Sequence, residues 1–214
     1  MKPVHLAQLL PVLALSMAGC SALQPANVPV AAVYRLDTVA TVATVPNITA
    51  PARATGTPAA SILIGNIRAA AGFDSNHMLF MRQPHQIEEF QQSQWQKPPA
   101  AMLMPLVTSA LESSGLFKVV LQAPTALQTT YRLDLEIRSL QQDFTSTPSR
   151  VHFVLRAHLS DTKNQQITAW REFEVNLATP TEDAYGGVLA SNQAVTQALK
   201  QLTGFCAEQV GPVK

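Results

Sequence analysis

Three stretches in the second half of the chain alternate apolar and polar residues. Residues 131–137 and 151–159 place an apolar side chain at every second position, and residues 167–177 do so less regularly, through Trp170, Phe173 and Val175. Because successive side chains of a β-strand point to opposite faces, this pattern predicts antiparallel strands with one buried and one solvated face. Polar residues at 145–149 and 161–164 predict the turns that join them.

Two segments repeat apolar residues at helical spacing instead. The first begins at Pro98-Pro99 and ends at Gly115, and Pro105 is expected either to lie in its first turn or to kink it. The second runs from about Thr181, a predicted cap, to Val210. Their apolar stripes comprise Met102, Leu103, Leu106, Val107, Ala110 and Leu111 in the first, and Val188, Val195, Leu199, Leu202 and Cys206 in the second.

Shorter apolar runs at 33–36, 61–68, 77–82 and 116–120 predict further strands, and residues 87–96 predict a strand across the rim of the sheet. Residues 72–75 predict a turn. Together the elements predict an α+β fold of two layers, with a mainly antiparallel sheet and two amphipathic helices packed on one of its faces.

The N-terminus has the layout of an export signal. Lys2 precedes a ten-residue apolar stretch, which is too short for a bilayer core that needs about 20 residues, and small residues follow before Cys20. Ala18-Gly19-Cys20 resembles the bacterial lipobox, although Met17 stands where Leu is usual. We therefore expect cleavage after residue 19 and a diacylglyceryl and acyl (palmitate) anchor on Cys20. An ordinary signal peptide with an incidental cysteine and a transmembrane anchor are the alternatives.

The predicted organisation is a signal peptide over 1–19, a tether over 20–30 and one domain over 31–210, with an Ala/Thr/Val/Pro arm or loop at 38–60. Ser21 follows the cysteine, and the absence of Asp there suggests the periplasmic face of the outer membrane, by a rule taken from enterobacteria. With Cys20 acylated, Cys206 has no disulfide partner and is expected to be a small buried apolar residue.

Charge and the absence of known motifs argue against several classes of function. The 214 residues carry a net charge of +1 without a basic run, so neither nucleic acid nor an anionic-lipid patch is indicated. There is no Gly-x-Ser-x-Gly elbow and no phosphate-binding glycine loop.

The polar candidates for chemistry have simpler interpretations. His152 and His158 share a strand face about 20 Å apart, too far to bind one metal, and His77 and His85 are expected at the surface with them. Asp134 and Glu136 alternate with arginines, which indicates cross-strand ion pairing on a solvated face rather than acid–base catalysis. No catalytic residue, metal site or cofactor is therefore predicted.

Three aromatic-rich segments are candidate contact surfaces. They are the Gly72–Ser75 turn with Met78 and Phe80, the segment from Phe90 to Trp95, and Trp170. Such residues are more often part of a core than of an interface. The first two segments are short, bounded by Pro and Gly, and outside the regular strands, and are therefore kept as candidate interfaces.

Several segments in order resemble the ABC-type transport auxiliary lipoprotein family, over roughly residues 30–208. They are residues 67–78 with Gly-Phe-Asp-Ser and Met78, Trp95 with Pro98–Leu103, Leu111–Phe117, Tyr131–Leu133 with Gln142–Phe144, and Ala184–Gly187 with Ala194. Residues 39–58 carry least of the resemblance.

The resemblance implies the lipoprotein component of an MCE-type system that moves phospholipid or sterol-like lipids. It implies as partners an MCE-domain substrate-binding protein, an ABC permease and an ATPase, and it implies no catalytic residues. Whether the chain forms a homo-oligomer stays open. We expect Phe73, Asp74, Met78 and Trp95 to contact the MCE-domain partner. Lipid binding in a groove between sheet and helices is the second hypothesis, and an envelope hydrolase is the third.

Overall fold

The computed structural model describes residues 30–37 and 60–210. The predictions for the signal peptide, for Cys20, for nearly all of the tether and for residues 38–59 of the arm lie outside these ranges. Among the described residues the order is β1 (Ala32–Tyr34), β2 (Ser61–Ile64), β3 (Arg68–Ala69), β4 (His77–Gln83), β5 (Gln86–Trp95), α1 (Pro99–Ser114), β6 (Val119–Gln122), β7 (Tyr131–Asp143), β8 (Arg150–Asp161), β9 (Gln166–Ala178) and α2 (Ala184–Val210).

The predicted α+β class is confirmed, and the sheet proves to be mixed. The long ladders β7–β8 and β8–β9 are antiparallel, as is β4–β5. On its other edge β7 pairs in parallel with β2, then β3, then β4, which lie one after another along its length. β6 extends the sheet beyond β2, and β5 and β1 extend it beyond β4.

A β-bulge reverses the inward side of β7 partway along. The register with β8 shifts between Ile137 and Ser139. Before it the odd-numbered residues are buried, and after it Leu140 and Gln142 are. Such a bulge inserts one unpaired residue, so the strand continues to cover the core along its whole length.

Both helices pack on the apolar face of the sheet. α2 lies over β8 and β9, and α1 lies beside α2. The core between the layers includes Phe153 and Leu202, both fully buried, and the rings of Phe173 and Phe205, whose centroids are 6.0 Å apart. The opposite face of β7–β9 is polar, with Arg156 paired to Glu172 at 2.8 Å and His152 to Glu174 at 3.0 Å.

The ends of the helices follow local chemistry. Gly115 ends α1 in the left-handed region at φ 66°, as the sequence predicts, because glycine adopts this conformation without a steric penalty. Pro105 lies in the interior of α1 and not in its first turn. At α2 the prediction of Thr181 as the cap is wrong. The Gly186 N–H donates to Asp183 Oδ1 at 2.7 Å, and the Thr181 hydroxyl donates to that same oxygen at 2.7 Å.

Replacing Asp183 by Ala is expected to lower the free energy of unfolding at neutral pH by about 1 kcal/mol, the usual cost of losing an N-cap. The Gly186 N–H and then the Thr181 hydroxyl lower the pKa of Asp183. A carboxyl whose pKa is depressed in the folded state stabilises the fold above its unfolded pKa of about 3.9, and this stabilisation is lost as the pH falls through the folded value. Urea unfolding should therefore show the difference from wild type shrinking below about pH 4.

Asp183→Asn is the matched control, since asparagine also caps but does not titrate in this range. It should keep most of the stability at neutral pH. An Asp183→Ala variant with unchanged stability at pH 7 would contradict this assignment of the cap.

Candidate partner-binding surface

The turn that joins β3 to β4 presents two of the four predicted contact residues. The Phe73 N–H donates to the Ala70 carbonyl at 2.9 Å, and Gly72 has a φ of 90°, which favours glycine. The Phe73 side chain is half-buried and Asp74 is exposed. Both are therefore accessible to another molecule.

Met78 and Trp95 are placed differently. Their exposures are 4 % and 3 %, and both belong to the main hydrophobic core. They line a cavity of about 10 Å³ beneath the N-terminal part of α2, next to Gln142 and Gly187. The sequence predicts all four residues at one contact surface. In the structure Met78 and Trp95 are buried in the core instead, because the hairpin of β4 and β5 directs their side chains inward. A role in partner binding stays a prediction for all four, and for these two it would act through the packing of the hairpin.

A groove opens beside the Phe73–Asp74 turn, between β3 and the start of α1. It has a volume of about 520 Å³, and its lining includes Asp74 together with Ile67, Ala69, Pro98, Ala100, Ala101 and Met104. β3 pairs with β7 on one side, and the described residues place no strand on its other side. We call this feature the α1 groove. It combines an apolar lining with a strand edge that is open to a partner.

Pro105 lies one helical turn after Ala101, a residue that lines this groove. Proline has no N–H, so it cannot donate to the carbonyl of Ala101, four residues earlier in α1. Ala101 is exposed and lines the groove.

The exposure of Trp170 departs from the expectation of a core residue. Its side chain is 62 % exposed and its ring lies 6.5 Å from that of His158, its cross-strand neighbour on the polar face of the sheet. Counting alternate positions back from Phe173 would have placed Trp170 on this face. The aromatic side chain, rather than its position, prompted the wrong expectation.

Asp134 and Glu136 form their ion pairs within β7, and not across strands as the sequence predicts. Arg132 and Asp134 pair within β7 at 2.8 Å, as do Arg138 and Glu136 at 3.2 Å. Groups of His, Cys, Asp or Glu that could hold a metal are absent from residues 30–37 and 60–210. Within these ranges neither helix is long and apolar enough to cross a membrane. Cys206 is fully buried, as predicted, and burial raises the pKa of its thiol to about 12.

The geometry defines an α+β domain that offers grooves and faces to other molecules. A family model described as the ABC-type transport auxiliary lipoprotein component matches residues 44–203. The chain belongs to this family of lipoproteins. The resemblance inferred from the sequence is thereby confirmed.

Solved structures share the fold. Protein XCC0632 from Xanthomonas campestris is 23 % identical, with a TM-score of 0.67 over 81 % of this chain and 93 % of that one. An uncharacterized protein at 12 % identity aligns with a TM-score of 0.63 over 83 % of this chain and 99 % of its own. The protein CT253 from Chlamydia trachomatis, at 8 % identity, reaches 0.50 over 71 % and 97 %. No functionally curated protein matched the sequence.

Four of the segments that carry the family resemblance meet at Gln142. The Gln142 amide donates to Ser149 Oγ at 3.0 Å, and its Oε1 occupies the space that a Cβ on Gly187 would need. Met78 and Trp95 line the same cavity. These segments therefore pack β4, β5, β7 and α2 against one another, which gives the residues a structural role in the core.

Proposed function

We propose that the chain is a non-enzymatic auxiliary subunit of an MCE-type ABC lipid transport system. In this proposal lipid on Cys20 anchors it to the periplasmic face of the outer membrane, and the domain docks the periplasmic MCE-domain component. The observation that carries the proposal is the family match, which names an auxiliary lipoprotein of ABC-type transport. The tether would raise the local concentration of the domain near its partner.

The α1 groove is the docking site in this proposal. An apolar groove beside an open strand edge suits an extended or helical peptide, because backbone hydrogen bonds and side-chain pockets can both contribute. Phe73 offers an aromatic side chain beside the groove, a residue type that is enriched at the cores of interfaces. In this proposal the domain is connected to the permease and the ATPase of the system only indirectly, through the MCE-domain component.

Capture of the purified MCE-domain protein tests the docking site. Ala101→Arg places a long charged side chain in the groove, and we expect it to weaken capture at least about tenfold, equivalent to 1.4 kcal/mol. Phe73→Ala should weaken it in the same direction. Ser109→Arg is the matched control, since Ser109 is exposed on the same helix and is not among the residues that line the groove. Capture that is undiminished in both correctly folded variants would refute the site, and no capture by the wild type would refute the function.

The anchor is tested separately by Cys20→Ser. Fractionation of cells should move this variant out of the outer-membrane fraction once the leader has been cleaved. Processed protein that still pellets with membranes would contradict the lipid anchor.

Direct lipid binding between the layers has less support. The cavity beneath α2 has a volume of about 10 Å³, close to that needed for one water molecule and far below that of an acyl chain, and the larger α1 groove is assigned to the MCE-domain partner in this proposal. Mass spectrometry of the purified protein, with the covalent anchor accounted for, would favour this alternative if phospholipid co-purified.

A further inference from the structure

The two surfaces of the domain differ sharply in charge. The polar face of β7–β9 carries arginines, acidic residues and two histidines in alternation, among them Arg132, Asp134, Glu136, Arg138, Arg156 and Glu172. In contrast the 27 residues of α2 include only two charged residues, Lys200 and Glu208. Glu208 is paired with Arg171 at 2.8 Å, and among residues 30–37 and 60–210 Lys200 has no ion-pair partner.

The outward side of the first half of α2 carries an aromatic residue, an aliphatic residue and two uncharged polar residues. Tyr185 is 53 % exposed and Leu189, one turn later, is 36 % exposed. Gln193 and Gln197 continue the same side and are exposed. We call these four residues the α2 face. An exposed helix with so little charge is unusual, because about a quarter of residues in globular proteins are charged.

Three carboxylates belong to segments next to the α2 face: Glu182 and Asp183 precede α2, and Asp37 follows the first strand. Asp183 accepts from the Gly186 N–H at the start of α2. Both carboxylate oxygens of Glu182 accept from the Ser149 N–H, at 2.9 and 3.2 Å. Arg35 and Asp37 pair with each other at 2.9 Å. Backbone N–H groups thus fix the position of the two carboxylates before α2, which keep their charge, and the charge of Asp37 is balanced by Arg35.

The start of the domain is attached to the α2 face. The ring of Tyr34 lies 6.2 Å from that of Tyr185, and the Asp37 N–H donates to Asn192 Oδ1 at 2.8 Å. Only ten residues separate Cys20 from Ala31. Ten residues span at most about 33–36 Å when fully extended, and about 17 Å as a flexible chain. A domain of this length is roughly 40 Å across, so a flexible tether of about 17 Å favours an orientation in which the side at which the chain enters faces the anchoring membrane.

We propose that the α2 face rests on the lipid surface to which Cys20 anchors the chain. This rests on the lipid anchor of the proposed function and adds an orientation to it. Tyrosine suits the boundary between headgroups and acyl chains, and uncharged amides can exchange hydrogen bonds with headgroups without the cost of desolvating a charge. The charged face of the sheet is then directed away from this membrane.

The test compares two labelled sites in the complete lipidated chain. A bimane fluorophore is attached at Gln193→Cys on the α2 face, or at Glu174→Cys on the polar face of the sheet; both positions are exposed, and the buried Cys206 does not compete. The protein is reconstituted in vesicles of phosphatidylethanolamine with some phosphatidylglycerol, containing a spin-labelled lipid as quencher. We expect quenching at position 193 to exceed that at position 174 by about threefold or more.

The second part of the experiment introduces a charge on the α2 face. Leu189→Glu should reduce quenching at position 193 to the level at position 174, while the protein stays on the vesicles through its lipid. Leu189→Gln, of similar size and uncharged, should keep most of the quenching. Circular dichroism checks that each variant is folded.

The outcomes separate the inference from the function on which it rests. Equal quenching at the two sites in vesicle-bound protein overturns the orientation and leaves the anchor intact. Self-quenching at position 193 that disappears on dilution with unlabelled protein, without quenching by lipid, would mean that a second copy covers this face, and it also overturns the proposal. Failure of the wild-type lipidated chain to bind vesicles contradicts the anchor itself.

Discussion

Replacing Phe153 by Ala is expected to lower the free energy of unfolding by about 3–5 kcal/mol, the largest single effect among the substitutions considered. Phe153 is fully buried in the first half of β8, between Leu140 of β7 and Val175 of β9, on the face covered by α2. Removing its ring takes away the transfer free energy of the buried atoms and leaves a cavity that the regular sheet can close only in part.

Urea unfolding measures this effect as a shift of the midpoint at an unchanged slope. Ile167→Ala is the matched control, because Ile167 is 63 % exposed on the neighbouring strand β9 and its loss should change stability by no more than about 0.5 kcal/mol. A loss below 1 kcal/mol for Phe153→Ala would contradict the placement of this residue at the centre of the core.

Replacing Gly186 by Ala is expected to cost about 2 kcal/mol, because a side chain there has no space. A Cβ at this position would overlap the backbone carbonyl of Thr181, and a backbone group cannot move aside as the end of a flexible side chain can. The substitution would also displace the N–H that Gly186 donates to Asp183. We therefore expect the first turn of α2 to loosen.

Gly204 in the same helix provides a control of opposite sign. It is exposed, and a Cβ there would meet no atom within 4 Å. Gly204→Ala should raise the free energy of unfolding by up to about 1 kcal/mol through helix propensity alone. Thermal and urea unfolding of the two variants measure the effects. A change of stability in the same direction for both would contradict the close packing of Gly186 against Thr181.

Local patterns in the sequence predict a large part of this domain. The alternation of β7 and β8 predicts their buried sides, and the helical stripes predict both helices. Asp161 and its neighbours predict the turn before β9, where Asp161 Oδ1 accepts from the Lys163 N–H at 2.8 Å. The end of α1 at Gly115 and the burial of Cys206 also follow from residue type and spacing. All of these features depend on residues that are close together along the chain.

The candidate site depends much less on such patterns. That Phe73 and Asp74 lie on an accessible turn could be predicted from the Gly-Phe-Asp-Ser sequence. The burial of Met78 and Trp95 and the exposure of Trp170 could not be read from residue type, since an aromatic or Met side chain fits either a core or an interface. The α1 groove arises only because β3 and the start of α1 meet in the fold.

The sequence by itself determined the class of the domain, its long strands and helices, and its membership of the lipoprotein family. Only the tertiary structure decided that β2, β3 and β4 line up in parallel along one edge of β7, which leaves β3 open beside α1, and that the first strand reaches Tyr185. The reason is that periodicity records which side of a segment is buried, whereas strand pairing depends on contacts between residues far apart in the chain.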